Sequence, residues 1–284
     1  MIGKIIKLTG GFYYIYCEGE IYTSRARGLF RHHEVSPVVG DEVEFETEGD
    51  LSYIKKVLPR KNILVRPPVA NVDQVMLLVP VAKPQYNLQL TDSVIASYEN
   101  NNLKIIMCIN KVDLDRDAAE KLYKIYEKAV DHVILTSFTT GEGTEEVRDL
   151  LKHKLTALSG VSGAGKSTLT SFILGKEIER GEVSRKTERG KHTTRHVELH
   201  NVGDTFIFDT PGFSSINLDQ IEIEKLPYLF HEFIEYLPCR FNNCMHINEP
   251  GCKIKEKVEE GIIPKSRYES YLQLHAEILE KGRY

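Results

Sequence analysis

The sequence predicts a multidomain chain: an N-terminal OB-fold β-barrel, a central α/β P-loop domain in circularly permuted order, and a C-terminal mostly α segment around a cysteine cluster. Three observations carry this. Short β-rich runs broken by Gly, Asp and Pro fill the first stretch. Strands and helices then alternate from residue 74 around a glycine-rich string. Three of the five cysteines crowd between Cys239 and Cys252.

At 284 residues the length suits two domains, or three if some are small. Apolar content of 41% and charged content of 27% describe an ordinary globular chain, and a net charge of −4 leaves any nucleic-acid surface to a local patch. No N-terminal apolar stretch suggests a signal peptide, and no run approaches a membrane span. An odd cysteine number with a tight cluster points to metal binding in a reducing cytoplasm rather than to a disulfide framework.

In chain order, residues 11–17, 20–24, 41–47 and 52–58 read as short strands, with Gly40-Asp41 as a strand start. Five short strands in this length suit an OB barrel. Pro59 and Arg66-Pro67-Pro68 read as a linker, because consecutive prolines resist helix and central strand. The apolar run 74–82 fits a buried parallel strand, and Thr91-Asp92 can cap a helix reaching about Asn100. Residues 104–110 are the next strand, 117–129 a helix, 132–137 a strand and 144–154 a helix. A short strand at 156–159 feeds a loop and a helix over 167–174, followed by strands at 196–200 and 205–208. Such alternation implies a mostly parallel sheet covered on both faces. Residues 265–284 read as a closing helix. The expected domains are 1–62, 63–216 and 217–284.

Gly160-Val161-Ser162-Gly163-Ala164-Gly165-Lys166-Ser167, followed by Thr168, is a complete G-x-x-x-x-G-K-[ST] string. Backbone N–H groups must converge on phosphate oxygens there, so glycines are needed, and Lys166 adds a point charge while Ser167 offers a hydroxyl to Mg²⁺. The helix that follows contributes its N-terminal dipole. Asp209-Thr210-Pro211-Gly212 ends an apolar strand, where Asp209 can serve the Mg²⁺ shell and Gly212 a γ-phosphate; alone, D-x-x-G is a common turn. Between the two lies a basic segment, Arg189 to Arg195, whose Thr193 or Thr194 could complete the Mg²⁺ shell in a nucleotide-sensitive loop, or which is simply a solvated loop.

Asn110-Lys111-Val112-Asp113 ends a strand and precedes a helix. The Asp carboxylate accepts from the N1–H and exocyclic amine of guanine, Asn110 steadies the loop, and the Lys111 stem packs on the ring. Ser137 ends the next strand, where a second loop touches the base. In ordinary GTPases the phosphate loop precedes this base reader; here it follows. Cutting such a domain ahead of its base-reader half and joining the old ends reproduces the order seen. Domain termini that lie close together make that rearrangement tolerable.

With these motifs the chain resembles the circularly permuted GTPases of small ribosomal subunit biogenesis, the RsgA (YjeQ/YloQ-like) family, over essentially its whole length. The resemblance implies an OB-fold, a permuted G domain and a zinc domain, and a GTP hydrolase stimulated by the small subunit and its rRNA. It places guanine readers at Asn110, Lys111 and Asp113, the phosphate loop at Gly160 to Thr168, and a switch segment at Thr193 and Thr194. Two residues depart from the family pattern: Ala164 where Val is common, and Phe138 after Ser137 where a small residue is usual.

Cys239, Cys244, His246 and Cys252, spaced Cys-x₄-Cys-x-His-x₅-Cys, would fill a tetrahedral Zn²⁺ shell with no place for water, which makes the site structural. The spacing also matches the resembling family. Cys17 and Cys108 lie in strands and read as inert core thiols. Arg25, Arg27, Arg31 and Lys55-Lys56 gather near Phe30 and His32, a mixture that suits RNA on a small barrel as well as a solvated face.

The expected protein is thus a cytoplasmic, monomeric GTPase that binds GTP and GDP, Mg²⁺ and one Zn²⁺, with no membrane partner. Phe213 stands where Ras-type GTPases carry a water-orienting Gln, so His192 is the candidate catalytic group beside Lys166. A P-loop ATPase or kinase is the rival enzyme, separable by GTP and ATP competition. A zinc-bearing RNA-binding module that only senses nucleotide is the other rival, separable by multiple turnover.

Overall fold

Side chains of alternating burial build the N-terminal barrel. β1 (Ile2–Thr9), β2 (Phe12–Cys17), β3 (Glu20–Ala26), β4 (Glu42–Glu48) and β5 (Leu51–Val57) close in the order β1-β2-β3-β5-β4. Ile5, Ile15, Val43, Phe45 and Ile54 point inward and are buried, as the two-residue strand period requires. β1 is the strand that the sequence pattern did not single out. Asp41 is fully buried just before β4, where Arg60 donates to its carboxylate from Nε at 2.7 Å and Nη2 at 2.8 Å. Of the expected proline linker, Arg66 and Pro67 lie outside the described residues, while β6 (Ile63–Val65) and β7 (Pro68–Ala70) on either side pair antiparallel. Pro68 is the first residue of its strand, a position that tolerates a missing N–H.

This computed structural model describes residues 1–26, 36–49, 51–65, 68–175, 198–209 and 220–281. It divides into a unit of Met1–Gln74, Glu145–Ser159 and Lys166–Phe213, and a unit of Val75–Thr144, Gly160–Gly165 and Ser214–Tyr284. The first unit carries the barrel and three strands in the order β11-β13-β12: β11 (Leu155–Ser159), β12 (His200–Val202) and β13 (Thr205–Asp209). β11 and β13 are parallel, and β12 runs antiparallel to β13. Helix α3 (Thr144–Leu151) leads into β11 and α4 (Lys166–Leu174) opens within this unit. Glu198 and Leu199 precede β12 and lie on the barrel. Leu199 N–H donates to Ile6 O at 2.8 Å and Lys7 pairs with Glu198 at 2.9 Å. The register of β1 shifts between Ile5 and Lys7, a bulge that re-aims the backbone there. Of the strand expected at 196–200, residues 196 and 197 lie outside the described residues; Glu198 bridges Lys7 of the barrel, and β12 starts at His200.

The second unit carries three strands in the order β10-β9-β8: β8 (Gln74–Pro80), β9 (Lys104–Asn110) and β10 (His132–Thr136). Every residue of β8 is buried, as a strand covered on both faces must be. Helices α1 (Leu88–Glu99) and α2 (Arg116–Tyr126) follow β8 and β9. The cap of α1 is Asn87, whose side chain accepts from Leu90 N–H, and not Thr91-Asp92. Thr91 instead donates its hydroxyl back to Asn87 O at 2.8 Å, and Asp92 is buried among charged partners. The C-terminal part is helical throughout its regular elements: a 3₁₀ segment Ile223–Leu229, α5 (His231–Ile234), α6 (Lys253–Glu259) and α7 (Lys265–Lys281). Phe230, Phe233, Tyr271 and Leu274 form its core together with the thiols Cys239, Cys244 and Cys252.

Candidate functional site

The phosphate-loop string follows β11 directly, and its backbone explains its glycines. Gly160 has φ +140°, and a Cβ there would lie 2.5 Å from Leu78 O. Gly165 has φ +111°, and a Cβ there would lie 2.3 Å from Asn110 Nδ2. Both positions combine a left-handed backbone with a fixed backbone or side-chain neighbour, so only glycine fits. Ala164 is fully buried, and its N–H donates to Val161 O at 3.1 Å, so the small side chain is accommodated inside the turn. Lys166 and Ser167 open α4, with Thr168 next; the Thr170 and Ser171 hydroxyls donate to the carbonyls of Lys166 and Ser167.

Asn110 ties the two motifs together. It is 3% exposed, its Nδ2 donates to Ala164 O at 2.8 Å, and Thr136 Oγ1 approaches its Oδ1 at 3.4 Å. The sequence assigned Asn110 to steadying its own loop and to the base edge; in the structure its side chain braces the phosphate loop, whose Gly165 is shaped around it. Val112 is buried, with its N–H on Thr136 O, while Asp113 is exposed. Lys111 adopts φ +66°, and its Nζ donates to Lys83 O. Pro84 lies beside Gly163, where a Cβ would meet Pro84 Cδ at 3.3 Å. This Lys83-Pro84 turn is a contributor that no motif reading singled out, because its role is made by a carbonyl and a ring edge.

Ser137 is buried, and its N–H donates to Glu142 O while its carbonyl accepts from Gly141 N–H. Its side-chain oxygen accepts from Thr140 N–H at 3.2 Å, closing the turn after β10. Phe138 approaches the phosphate loop: a Cβ on Gly165 would lie 3.7 Å from its Cδ2. On the other strand end, the Asp209 backbone pairs with Leu158 near the end of β11. Gly212, His192, Thr193 and Thr194 lie outside the described residues, as do Arg27, Phe30, Arg31, His32 and Phe213. Arg25 is described, with its guanidinium 4.4 Å from the Phe12 ring centre.

The cysteine cluster converges. The ligand atoms of Cys239, Cys244, His246 and Cys252 all lie within 4.8 Å of one another, and all four residues are buried. His246 Nδ1 is 3.5, 3.4 and 3.3 Å from the three Sγ atoms in sequence order, and Cys239 and Cys252 Sγ are 3.9 Å apart. A tetrahedral Zn²⁺ with ordinary bond lengths sets S···S near ~3.8 Å and S···N near ~3.5 Å. The donor set and its spacing fit zinc. Burial pushes the Cys244 thiol up to about 12 and holds the His246 imidazole below its ordinary range. A neutral imidazole is the ligating form, and a divalent cation deprotonates thiols that burial alone keeps protonated.

The loop is fixed from outside as well. Glu249 accepts from Met245 N–H and Ile247 N–H, both at 2.8 Å. Tyr268 and Tyr271 donate from α7 to His246 O and Met245 O, both at 2.7 Å. Such outer contacts orient metal ligands. The apolar face of α7 hinted at packing for both tyrosines, but nothing in the sequence marked their hydroxyls.

A family model described as RsgA GTPase matches residues 57–219, and one described as RsgA N-terminal domain matches residues 2–54. The chain is 45% identical over 287 residues to a protein of Caldanaerobacter subterraneus subsp. tengcongensis named small ribosomal subunit biogenesis GTPase RsgA, covering 99% of this chain and 97% of that one. It is 40% identical to a protein of the same name from Agathobacter rectalis, covering all of both chains. The crystal structure of YjeQ from Thermotoga maritima superimposes with TM-score 0.85 at 35% identity, covering 98% of each chain. YloQ, described as a circularly permuted GTPase, superimposes with TM-score 0.79 at 34% identity, covering 99% of this chain and 95% of that one.

Proposed function

Because this chain belongs to the RsgA GTPase family, whose relatives are named small ribosomal subunit biogenesis GTPases, we propose that it binds the maturing small subunit with GTP and leaves on hydrolysis to GDP and phosphate. Its domains are 1–62 for RNA, 63–216 for GTP and 217–284 for zinc, and it works as a cytoplasmic monomer with rRNA as its surface partner. The single observation that carries the nucleotide reading is the bond from Asn110 Nδ2 to Ala164 O, which makes a base reader and a phosphate loop one assembly. Among the described residues no helix is long and apolar enough to cross a membrane.

In this reading Asn110, Lys111, Val112, Asp113 and Ser137 hold guanine, and residues 160–168 hold the phosphates, with Lys166 countering their charge. Ser167 and Asp209 serve Mg²⁺ with Thr193 or Thr194, and Gly212 meets the γ-phosphate. The Mg²⁺ that these residues would hold would supply neutralisation of the phosphate charge. The exposed Asp113 carboxylate accepts two guanine donors that adenine lacks. Asp113→Asn is therefore expected to weaken GTP by roughly a few kcal/mol and improve xanthosine triphosphate, since a charge-assisted pair is lost and an amide can donate to the new carbonyl. Equal GTP and XTP affinities before and after the change would remove the base-reader assignment.

Turnover is expected to be slow in isolation and faster with small subunits. Phe213 cannot orient a water, so the group must come from elsewhere, and His192 is the candidate. His192→Ala should keep subunit binding and lose the stimulated turnover. The rates to compare are those of both proteins with and without subunits. Full stimulation in the variant sinks the role of His192; equal wild-type rates with and without subunits sink the partner-activated mechanism.

A further inference from the structure

The two loops that would hold guanine are joined by an ion pair. Arg116 Nη1 donates to Glu142 Oε1 at 2.5 Å, with both side chains exposed. Arg116 stands three residues after Asp113, and Glu142 closes the turn that begins at Ser137. Among buried groups the same two loops meet through Val112 N–H, which donates to Thr136 O at 3.2 Å. The ion pair joins them again at the surface. An exposed pair is ordinary and adds little to stability. This one differs in where its cation sits and in how firmly its anion is held.

Arg116 is the first residue of α2, directly after the cap Asp115, whose side chain accepts from Ala118 N–H at 2.9 Å. A cation at that position opposes the helix dipole, which favours anions at its N-terminal end. Two carboxylates offset the conflict: Glu142, and Glu120 one turn along α2, whose Oε1 is 3.5 Å from Arg116 Nε. Glu142 is the nearer, and it belongs to the other loop. Its backbone is pinned. The Glu142 carbonyl accepts from Ser137 N–H at 3.0 Å, and Gly141 N–H donates to Ser137 O at 2.8 Å. Gly143, the next residue, lies so close to β10 that a Cβ there would be 2.3 Å from Leu135 O. Arg116 and the Ser137 turn are therefore held to each other through a carboxylate with little freedom of its own.

We propose that Arg116 and Glu142 are positioning residues of the guanine site: their ion pair holds the Asn110–Asp113 loop and the Ser137 turn together around the base, and its breaking is a step in nucleotide release. The proposal rests on the base-reader assignment above. It places the effect on dissociation, for GDP and GTP alike, because neither residue belongs to the phosphate loop. The test follows release of mant-labelled GDP and of a mant-labelled, non-hydrolysable GTP analogue from the full-length chain, chased with unlabelled nucleotide at low and high salt. Arg116→Ala and Glu142→Gln are each expected to speed release of both nucleotides about two- to fivefold at low salt, and the double variant should be no faster than either. The ratio of variant to wild-type rates should fall toward one as salt screens the pair. Glu120→Gln, which leaves the link between the loops intact, should release nucleotide at the wild-type rate.

Wild-type release rates in both single variants, from a chain that prefers GDP to ADP, overturn the proposal and leave the base reader standing. Single effects that add in the double variant, or a ratio that salt does not lower, overturn it as well, since the two side chains then act apart. A wild type that holds ADP as tightly as GDP rejects the base-reader assignment, and the proposal with it.

Discussion

Cys252→Ser is expected to abolish zinc binding, unfold the C-terminal region and leave GTP binding largely in place. Apparent zinc affinities at structural sites correspond to roughly 10–16 kcal/mol, far more than the helices here can supply alone. The chain from Cys239 to Cys252 contains no helix or strand, so its order depends on the four ligands, on Glu249 and on the Tyr268 and Tyr271 hydroxyls. The three thiols are also core residues that pack with Phe233, Ile254 and Tyr271. Removing the metal therefore frees the loop and opens the core beneath it. The phosphate loop is braced by Asn110, Leu78 and the Lys83-Pro84 turn, none of which touches the cysteine loop in the contacts described above. Metal analysis should find about one zinc per wild-type chain and none in the variant. Hydrogen exchange should rise across residues 231–259, with nucleotide affinity near wild type. A gently purified wild type without zinc, or a variant with native exchange in that stretch, would refute this.

What the sequence revealed is what chemistry forces on residue identity at fixed spacing. Gly160 and Gly165 are legible because no other residue tolerates their backbone and their neighbours. The Cys/His set is legible because a metal requires those side chains within one window. Strand and helix order was legible because β8, β9 and α2 satisfy their own periodicity. The failures are contacts made far along the chain. Thr91-Asp92 looks like a cap because Thr and Asp cap helices, but Asn87 caps α1 and Asp92 is reserved for a partner 175 residues away. Glu198 and Leu199, read as part of a sheet strand, bond to the barrel instead. The contact of Asn110 with the phosphate loop is invisible without the fold, since its two partners lie 54 residues apart.

Arg267 is the largest such omission, and it supports the second large effect. On α7 it reads as an exposed charge, yet it is fully buried. Its Nε and Nη2 donate to the two Glu232 oxygens at 2.6 and 3.2 Å, and its Nη1 donates to Asp92 Oδ1 at 2.6 Å. The guanidinium also lies 4.6 Å from the Phe230 ring centre, and Tyr126 donates its hydroxyl to Asp92 at 2.8 Å. Burial by itself lowers the guanidinium's proton affinity, but Asp92 and Glu232 outweigh it and hold the pKa above its ordinary value. One cation thus compensates carboxylates from α1 and α5, and fixes how α7 meets both. Arg267→Ala is expected to destabilise the chain by about 3–5 kcal/mol, because two carboxylates stay buried without their cation. Replacing Asp92, Glu232 and Arg267 together by apolar residues of similar volume should recover much of that loss. The comparison is made by urea unfolding read through exchange in α1 and α7, since a multidomain chain need not unfold in one step. If Arg267→Ala stayed within about 0.5 kcal/mol of wild type, the range of an ordinary surface substitution, the cluster would carry no such role. If the triple variant were no better than Arg267→Ala, uncompensated charge would not be the source of the damage.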